Sequence, residues 1–148
     1  MKLSRRQLAA MLPALAAAQT APPKAAKAPA KEKPTLASKA YEARELVVKV
    51  NGENKSWAVF DGRNHSGFPV DIHITELGPG QAPHAPHHHA HEEVLMLQNG
   101  VLDITILDKT TRVTAGSVVY VNSNEEHGWK NPGPERAKYF VMALGREA

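Results

Sequence analysis

Residues 83–100 read PHAPHHHAHEEVLMLQNG. His84, His87, His88, His89, His91, Glu92 and Glu93 fall within eleven positions, and an apolar run follows them at once. Neutral imidazoles and carboxylates are ligands for divalent transition metals, so the stretch is either a solvated chelating tract or the wall of a built metal site. Strand periodicity separates the two. If Glu93 to Leu97 is a strand, His87, His89, His91 and Glu93 share the parity of Leu95 and Leu97, with allowance for a bulge at the irregular start. Leucines that face a core then carry the imidazoles and the carboxylate inward. Buried imidazole and carboxylate are costly without partners, and one divalent cation partners all of them together. His84 is expected outside, as is His88 by its opposite parity. His91 is expected to be a polar group near the mouth rather than a ligand.

A second stretch, GSVVYVNSNEEHGWKN over 116–131, runs from an apolar strand through a polar turn to His127, with Trp129 and Asn131 on the same parity. A histidine in such a place is by itself an ordinary polar residue, and Trp129 is expected to fill the core. Tyr120, Glu125 and Glu126 are the nearest candidates for acid–base work there. Arg63, Arg112 and Arg136 are candidates for holding a carboxylate, although scattered arginines usually belong to the surface.

The elements that must position these groups are short. Leu46–Val50 and Ser56–Phe60 flank the Asn51-Gly52 turn, and Val70–Thr75 alternates with period two, which suits a half-buried strand and not a helix. Further strands are expected over 93–97, 101–107, 110–114, 117–121, 127–130 and 137–144. Gly78-Pro79-Gly80, Asn99-Gly100, Asp108-Lys109, Ala115-Gly116 and Asn131-Pro132-Gly133 supply the breaks. Eight or nine strands without a convincing helix predict an all-β sandwich or small barrel over 41–148.

The formal charge of +3 does not point to nucleic acid. Residues 41–148 hold ten Lys or Arg against fourteen Asp or Glu, so the surplus cations all lie in the first 40 residues; no nucleic-acid partner is expected. Residues 1–20 begin with Lys2, Arg5 and Arg6, continue through a short apolar stretch broken by Pro13 and end in small residues, the layout of a cleavable export signal too short to span a bilayer. Ser4-Arg5-Arg6-Gln7-Leu8 resembles a twin-arginine signal, so the protein is expected to be exported, periplasmic or secreted, without a stable membrane anchor after cleavage. Residues 21–40, rich in Ala, Lys and Pro, read as a solvated linker. The absence of cysteine excludes disulfides and thiolate chemistry.

Taken together, the two histidine-bearing stretches resemble the paired signature of the cupin superfamily. His87, His89, Glu93 and Gly100 match its H-x-H-x-x-x-E followed by glycine, with Gly80 one residue off the leading glycine. Gly116, His127 and Asn131 match the second half, although Asn122 and Asn124 replace the usual proline and glycine of its turn; asparagine tolerates left-handed dihedrals. The resemblance implies a single jelly-roll β-barrel, a frequent habit of dimerisation, and one divalent metal ion held by His87, His89, Glu93 and His127.

Four such ligands leave one or two coordination positions open, the arrangement of a site that takes substrate or water directly. Imidazole suits iron, nickel, cobalt, copper and zinc, and the carboxylate keeps manganese and iron in contention. Folding before export would fix the metal in the cytoplasm, which favours manganese or iron over copper. The leading reading is a small metalloenzyme of oxygenase, decarboxylase or isomerase type, such as a dioxygenase, acting on a small soluble molecule. A non-catalytic metal-dependent module for a small molecule or carbohydrate comes next, and a metal chelator using His84, His88 and His91 last. A homodimer is expected, with Val94 and Met96 on the outer face opposite Glu93. A twin-arginine receptor reads guanidinium groups, whereas a general secretory signal needs only positive charge. Replacing Arg5 and Arg6 together by lysine is therefore expected to abolish export, measured as the exported fraction; normal export of the double-lysine form would overturn the assignment.

Overall fold

A computed structural model describes residues 32–145; the expected export signal and the expected linker up to residue 31 lie outside the described residues. Nine strands follow in chain order: β1 (Val48–Asn51), β2 (Asn54–Arg63), β3 (Pro69–Leu77), β4 (Glu92–Asn99), β5 (Val101–Ile106), β6 (Lys109–Thr114), β7 (Val118–Val121), β8 (His127–Lys130) and β9 (Ala137–Leu144). Among the described residues the one helical segment is a 3-10 turn over Ala43–Glu45. Six strands form one sheet in the order β1-β2-β3-β9-β4-β7, and three form a second in the order β6-β5-β8. All pairings between strands are antiparallel. The expected all-β class is observed, and the two facing sheets form the jelly roll.

Alternation along the strands explains what lies between the sheets. On β4 the buried positions are Glu93, Leu95 and Leu97, and on β9 Ala137, Tyr139, Val141 and Ala143. Leu102 and Ile104 of β5 and Trp129 of β8 close the core from the other sheet. Each fully buried aliphatic side chain contributes about 1.5–3 kcal/mol relative to exposure.

Turns follow the sequence with small displacements. Gly52 takes φ +58° in the β1–β2 turn. The break expected at Asp108-Lys109 falls one residue earlier, because Ile106 pairs with Lys109 and leaves Leu107, at φ +52°, in the turn. Gly100 joins β4 to β5 at φ +84°, and a Cβ there would stand 2.7 Å from Cα of Ala137. Only glycine satisfies both the dihedral and the close approach.

Part of the stretch read as linker lies against the sheet. Leu36 N–H donates to Arg63 O and Arg63 N–H donates to Pro34 O, both at 2.8 Å. Gly62 makes that approach feasible, since any Cβ there would sit 2.7 Å from Leu36 Cγ and Pro34 O.

Asn131 is completely buried and ties three segments together. Its amide donates to Gly78 O at 3.0 Å and Glu135 O at 2.8 Å, and its Oδ1 accepts from Gly133 N–H at 2.9 Å. Its main chain pairs with Gly80 and Gln81, so the same residue anchors the start of the histidine-bearing loop. Asn131→Ala strands buried carbonyls and an N–H and is expected to lower stability by about 2–3 kcal/mol, read from the urea midpoint at unchanged slope. A change below about 0.5 kcal/mol would contradict this role.

Candidate metal centre

The strand containing Glu93 begins only at Glu92, so the histidines sit on an irregular segment and not on a regular strand. Pro83 and Pro86 remove backbone donors from it. The segment is fixed by other contacts. His87 and His127 exchange backbone hydrogen bonds at 3.0 and 2.9 Å, Asn124 N–H donates to His89 O at 2.8 Å, and Ser123 Oγ donates to Ala90 O at 2.7 Å. Asn124 has φ +61°, so the turn before β8 is closed by the asparagine whose left-handed tolerance the sequence suggested.

Four expected ligands approach one another. His87, His89 and His127 each offer an atom within 4.8 Å of the others, and so do His89, His91 and Glu93. The groups share His89 and are joined by Glu93 Oε2, 3.5 Å from His127 Nε2. Glu93 Oε1 stands 3.2 Å from His89 Nε2 and 3.6 Å from His91 Nε2. His91, expected as a bystander, therefore belongs to the cluster, stacked on His89 with ring centroids 3.6 Å apart. Its parity with Glu93 was the signal that it would face inward.

The hydrogen bonds on the far sides of the rings set their chemistry. His89 Nδ1 lies 2.9 Å from His91 O, and His127 Nδ1 lies 2.8 Å from Glu125 O. A carbonyl only accepts, so each Nδ1 donates and each neutral ring turns an Nε2 lone pair toward the cluster. Those two Nε2 atoms, His87 Nδ1, His91 Nδ1 and Glu93 Oε2 are buried without a hydrogen-bond partner. Two acceptors, His89 Nε2 and Glu93 Oε1, facing each other at 3.2 Å repel unless a cation stands between them. The donor set fits a divalent metal. Burial first, then the neighbouring His84, His127 and His89, lowers the pKa of His87; burial first, then His89, lowers that of His91. Both are thereby held in the neutral form that binds metal.

Around the cluster, Trp129 stacks on His127 at 5.7 Å and donates Nε1–H to Tyr139 Oη at 2.7 Å, serving as core and site wall at once. Burial raises the Tyr139 pKa, keeping the phenol protonated. His84 and His88 are exposed as expected, although His84 meets His87 edge-on at 4.3 Å. Other candidates fall away. Tyr120 points outward and is exposed, Glu126 is exposed, and Glu125 contributes its carbonyl. Arg112 pairs with Asp103, Arg136 with Glu76, and Arg63 donates to Gly67 O. A cavity of about 270 Å³, lined among others by His73, Thr75, His84, Trp129 and Tyr139, is separated from the cluster by Trp129 and His84, which pack on His127 and His87; none of the four expected ligands lines it.

Residues 73–143 match the cupin domain family, and the match spans both halves of the cluster. That match covers just under half of the chain. Solved proteins share its architecture at low identity. An RmlC-like cupin from Shewanella frigidimarina is 18% identical with a TM-score of 0.61, over 74% of this chain and 95% of that one. KdgF from a Halomonas species gives 13% and 0.63, over 75% and 97%. A predicted oxalate decarboxylase from Thermotoga maritima gives 15% and 0.61, over 72% and 99%. No curated protein gives a significant match. At these identities the likeness extends to the fold.

The geometry separates cluster histidines from surplus ones. His127→Ala is expected to abolish tight metal binding, whereas His84→Ala with His88→Ala leaves about one ion per chain, counted by elemental analysis after dialysis. The reverse outcome would establish the chelating loop. Because burial lowers the His87 and His91 pKa values, the unfolded chain takes up protons first, near pH 6.5. Metal retention and stability should therefore both hold at neutral pH and fall as pH drops below that value; loss beginning well above it would contradict the assignment.

Proposed function

We propose that this cupin is a small metalloenzyme holding one divalent metal through His87, His89, Glu93 and His127, with His91 beside it. The observation that carries this reading is the set of buried, unpartnered atoms of His89, His127 and Glu93 facing one another. A chelating loop would not have its imidazole tautomers fixed from behind. A bound metal would supply Lewis-acid polarisation of a substrate oxygen or activation of a small oxidant. The chain's own contribution is to hold His87 and His91 neutral, to fix the tautomers of His89 and His127 from behind, and to back His127 with Trp129. We keep manganese or iron as the favoured metals.

The same proposal places the protein outside the cytoplasm, exported folded by a twin-arginine signal and released without a membrane anchor. It also makes the protein a homodimer. Met96, Val118 and Tyr120 are exposed on the outer face where β4 pairs with β7, at 40%, 65% and 58%, and β7 is an edge strand that a second copy would cover.

Open coordination positions distinguish a reactive centre from a storage site. Manganese-loaded protein is expected to enhance water-proton relaxation through exchangeable bound water, and small carboxylates are expected to reduce that enhancement. Tight manganese binding without exchangeable water would contradict the enzymatic reading.

A further inference from the structure

No hydrogen bond among the described residues holds the His91 ring. Its Nδ1 is buried without a partner, and its Nε2 stands 3.6 Å from Glu93 Oε1, beyond hydrogen-bond reach. The backbone on either side of that ring is pinned by contrast. Ala90 O accepts from Ser123 Oγ at 2.7 Å, and His91 O accepts from His89 Nδ1–H at 2.9 Å. The side-chain torsions of His91 are thus free in an otherwise fixed segment. A buried imidazole nitrogen without a partner is costly, and such a group calls for one.

The distances name the partner. Donors about 2.1 Å from one ion stand at most about 4.2 Å apart. Glu93 Oε1 is 3.2 Å from His89 Nε2 and 3.6 Å from His91 Nε2, both inside that limit, and the three side chains form a donor group with atoms within 4.8 Å of one another. His89 belongs also to the group with His87 and His127, so an ion seated on His89 has both groups around it. The His89 and His91 rings are stacked, with centroids 3.6 Å apart and an interplanar angle of 10°. An imidazole lone pair lies in the plane of its ring, so two stacked rings aim past each other's ion, and sharing one requires a ring to turn. His89 is locked by its bond to His91 O. The ring left to turn is His91.

We propose that His91 is a fifth protein ligand of the metal, brought onto the ion by rotation of its side chain off His89. The inference rests on the metal site proposed above and changes one residue of it from neighbour to ligand. A six-coordinate ion then keeps one open position where four protein ligands would leave two. His91 therefore decides whether a small molecule can bind the ion through one atom or through two.

Protein carrying nitrogen-15 histidine and loaded with a spin-half cadmium isotope reads the ligands directly by NMR, because a coordinated ring nitrogen is split by the metal nucleus. Splitting is expected at His91 as well as at His87, His89 and His127. Splitting at the other three rings and none at His91 would overturn the proposal and leave the metal site standing. In competition with a chelator, His91→Ala is expected to lower cadmium affinity at least about tenfold, the loss that even a residue behind a ligand causes; an unchanged affinity would likewise overturn it. A wild-type chain that loses its cadmium on dialysis would overturn the metal site itself, and the fifth ligand with it.

Discussion

Lone pairs buried face to face govern this molecule. His89 and His127 each spend their Nδ1–H on a backbone carbonyl and turn the remaining nitrogen toward Glu93. With the rings neutral, that leaves acceptors opposed to acceptors in a dry place, an arrangement that is unfavourable until a cation enters. On the proposed reading, the fold is built around a charge that the protein itself does not contain. Metal binding and folding would then be linked through that site, because an ion that binds the folded chain stabilises it by mass action.

The rest of the barrel keeps those groups from relaxing away. Backbone bonds between His87 and His127, the Asn124 and Ser123 contacts to the histidine loop, and the Asn131 clamp at its start hold an irregular segment as firmly as a strand would. Trp129 and Tyr139 extend the order inward: one indole both stacks on a ligand ring and bonds to a phenol in the core. Strain from an unfilled site would thus be felt in the hydrophobic core. The polar inner surface of β3 is the exception to this packing logic, since Asp71, His73 and Thr75 occupy positions where aliphatic residues would stabilise more. Local violations of a folding rule of this kind mark function.

Much of this was legible in the sequence because strand periodicity and turn chemistry are local signals. Nine strands appear where alternation and Gly/Asn breaks place them, and the parity of Glu93 with Leu95 and Leu97 does bring the carboxylate inward. Parity gave the inward direction of the histidines for an incomplete reason: they lie on a loop held by hydrogen bonds within the chain between residues about 35–40 positions apart, which no local pattern encodes. The inclusion of His91 depends on its stacking against His89, a tertiary contact. The His73–Asp71 pair looked like ordinary strand alternation, since i and i+2 residues share a face, and only the sheet order and register show that this is the face that carries Glu93 two strands away. Two of the candidate arginines failed for the opposite reason, Arg112 and Arg136 each being paired with a nearby carboxylate, and Arg63 turns one guanidinium nitrogen to Gly67 O.

The central claim is that one cation is held by this protein's imidazoles and by Glu93, inside the barrel. X-ray absorption at the metal edge of the loaded protein tests it without any assumption about activity. The account predicts a first shell of nitrogen and oxygen at about 2.0–2.2 Å, accompanied by the outer-shell scattering of several imidazole rings, and a loss of imidazole scattering in His127→Ala. A first shell of oxygen alone, without imidazole scattering, would contradict it.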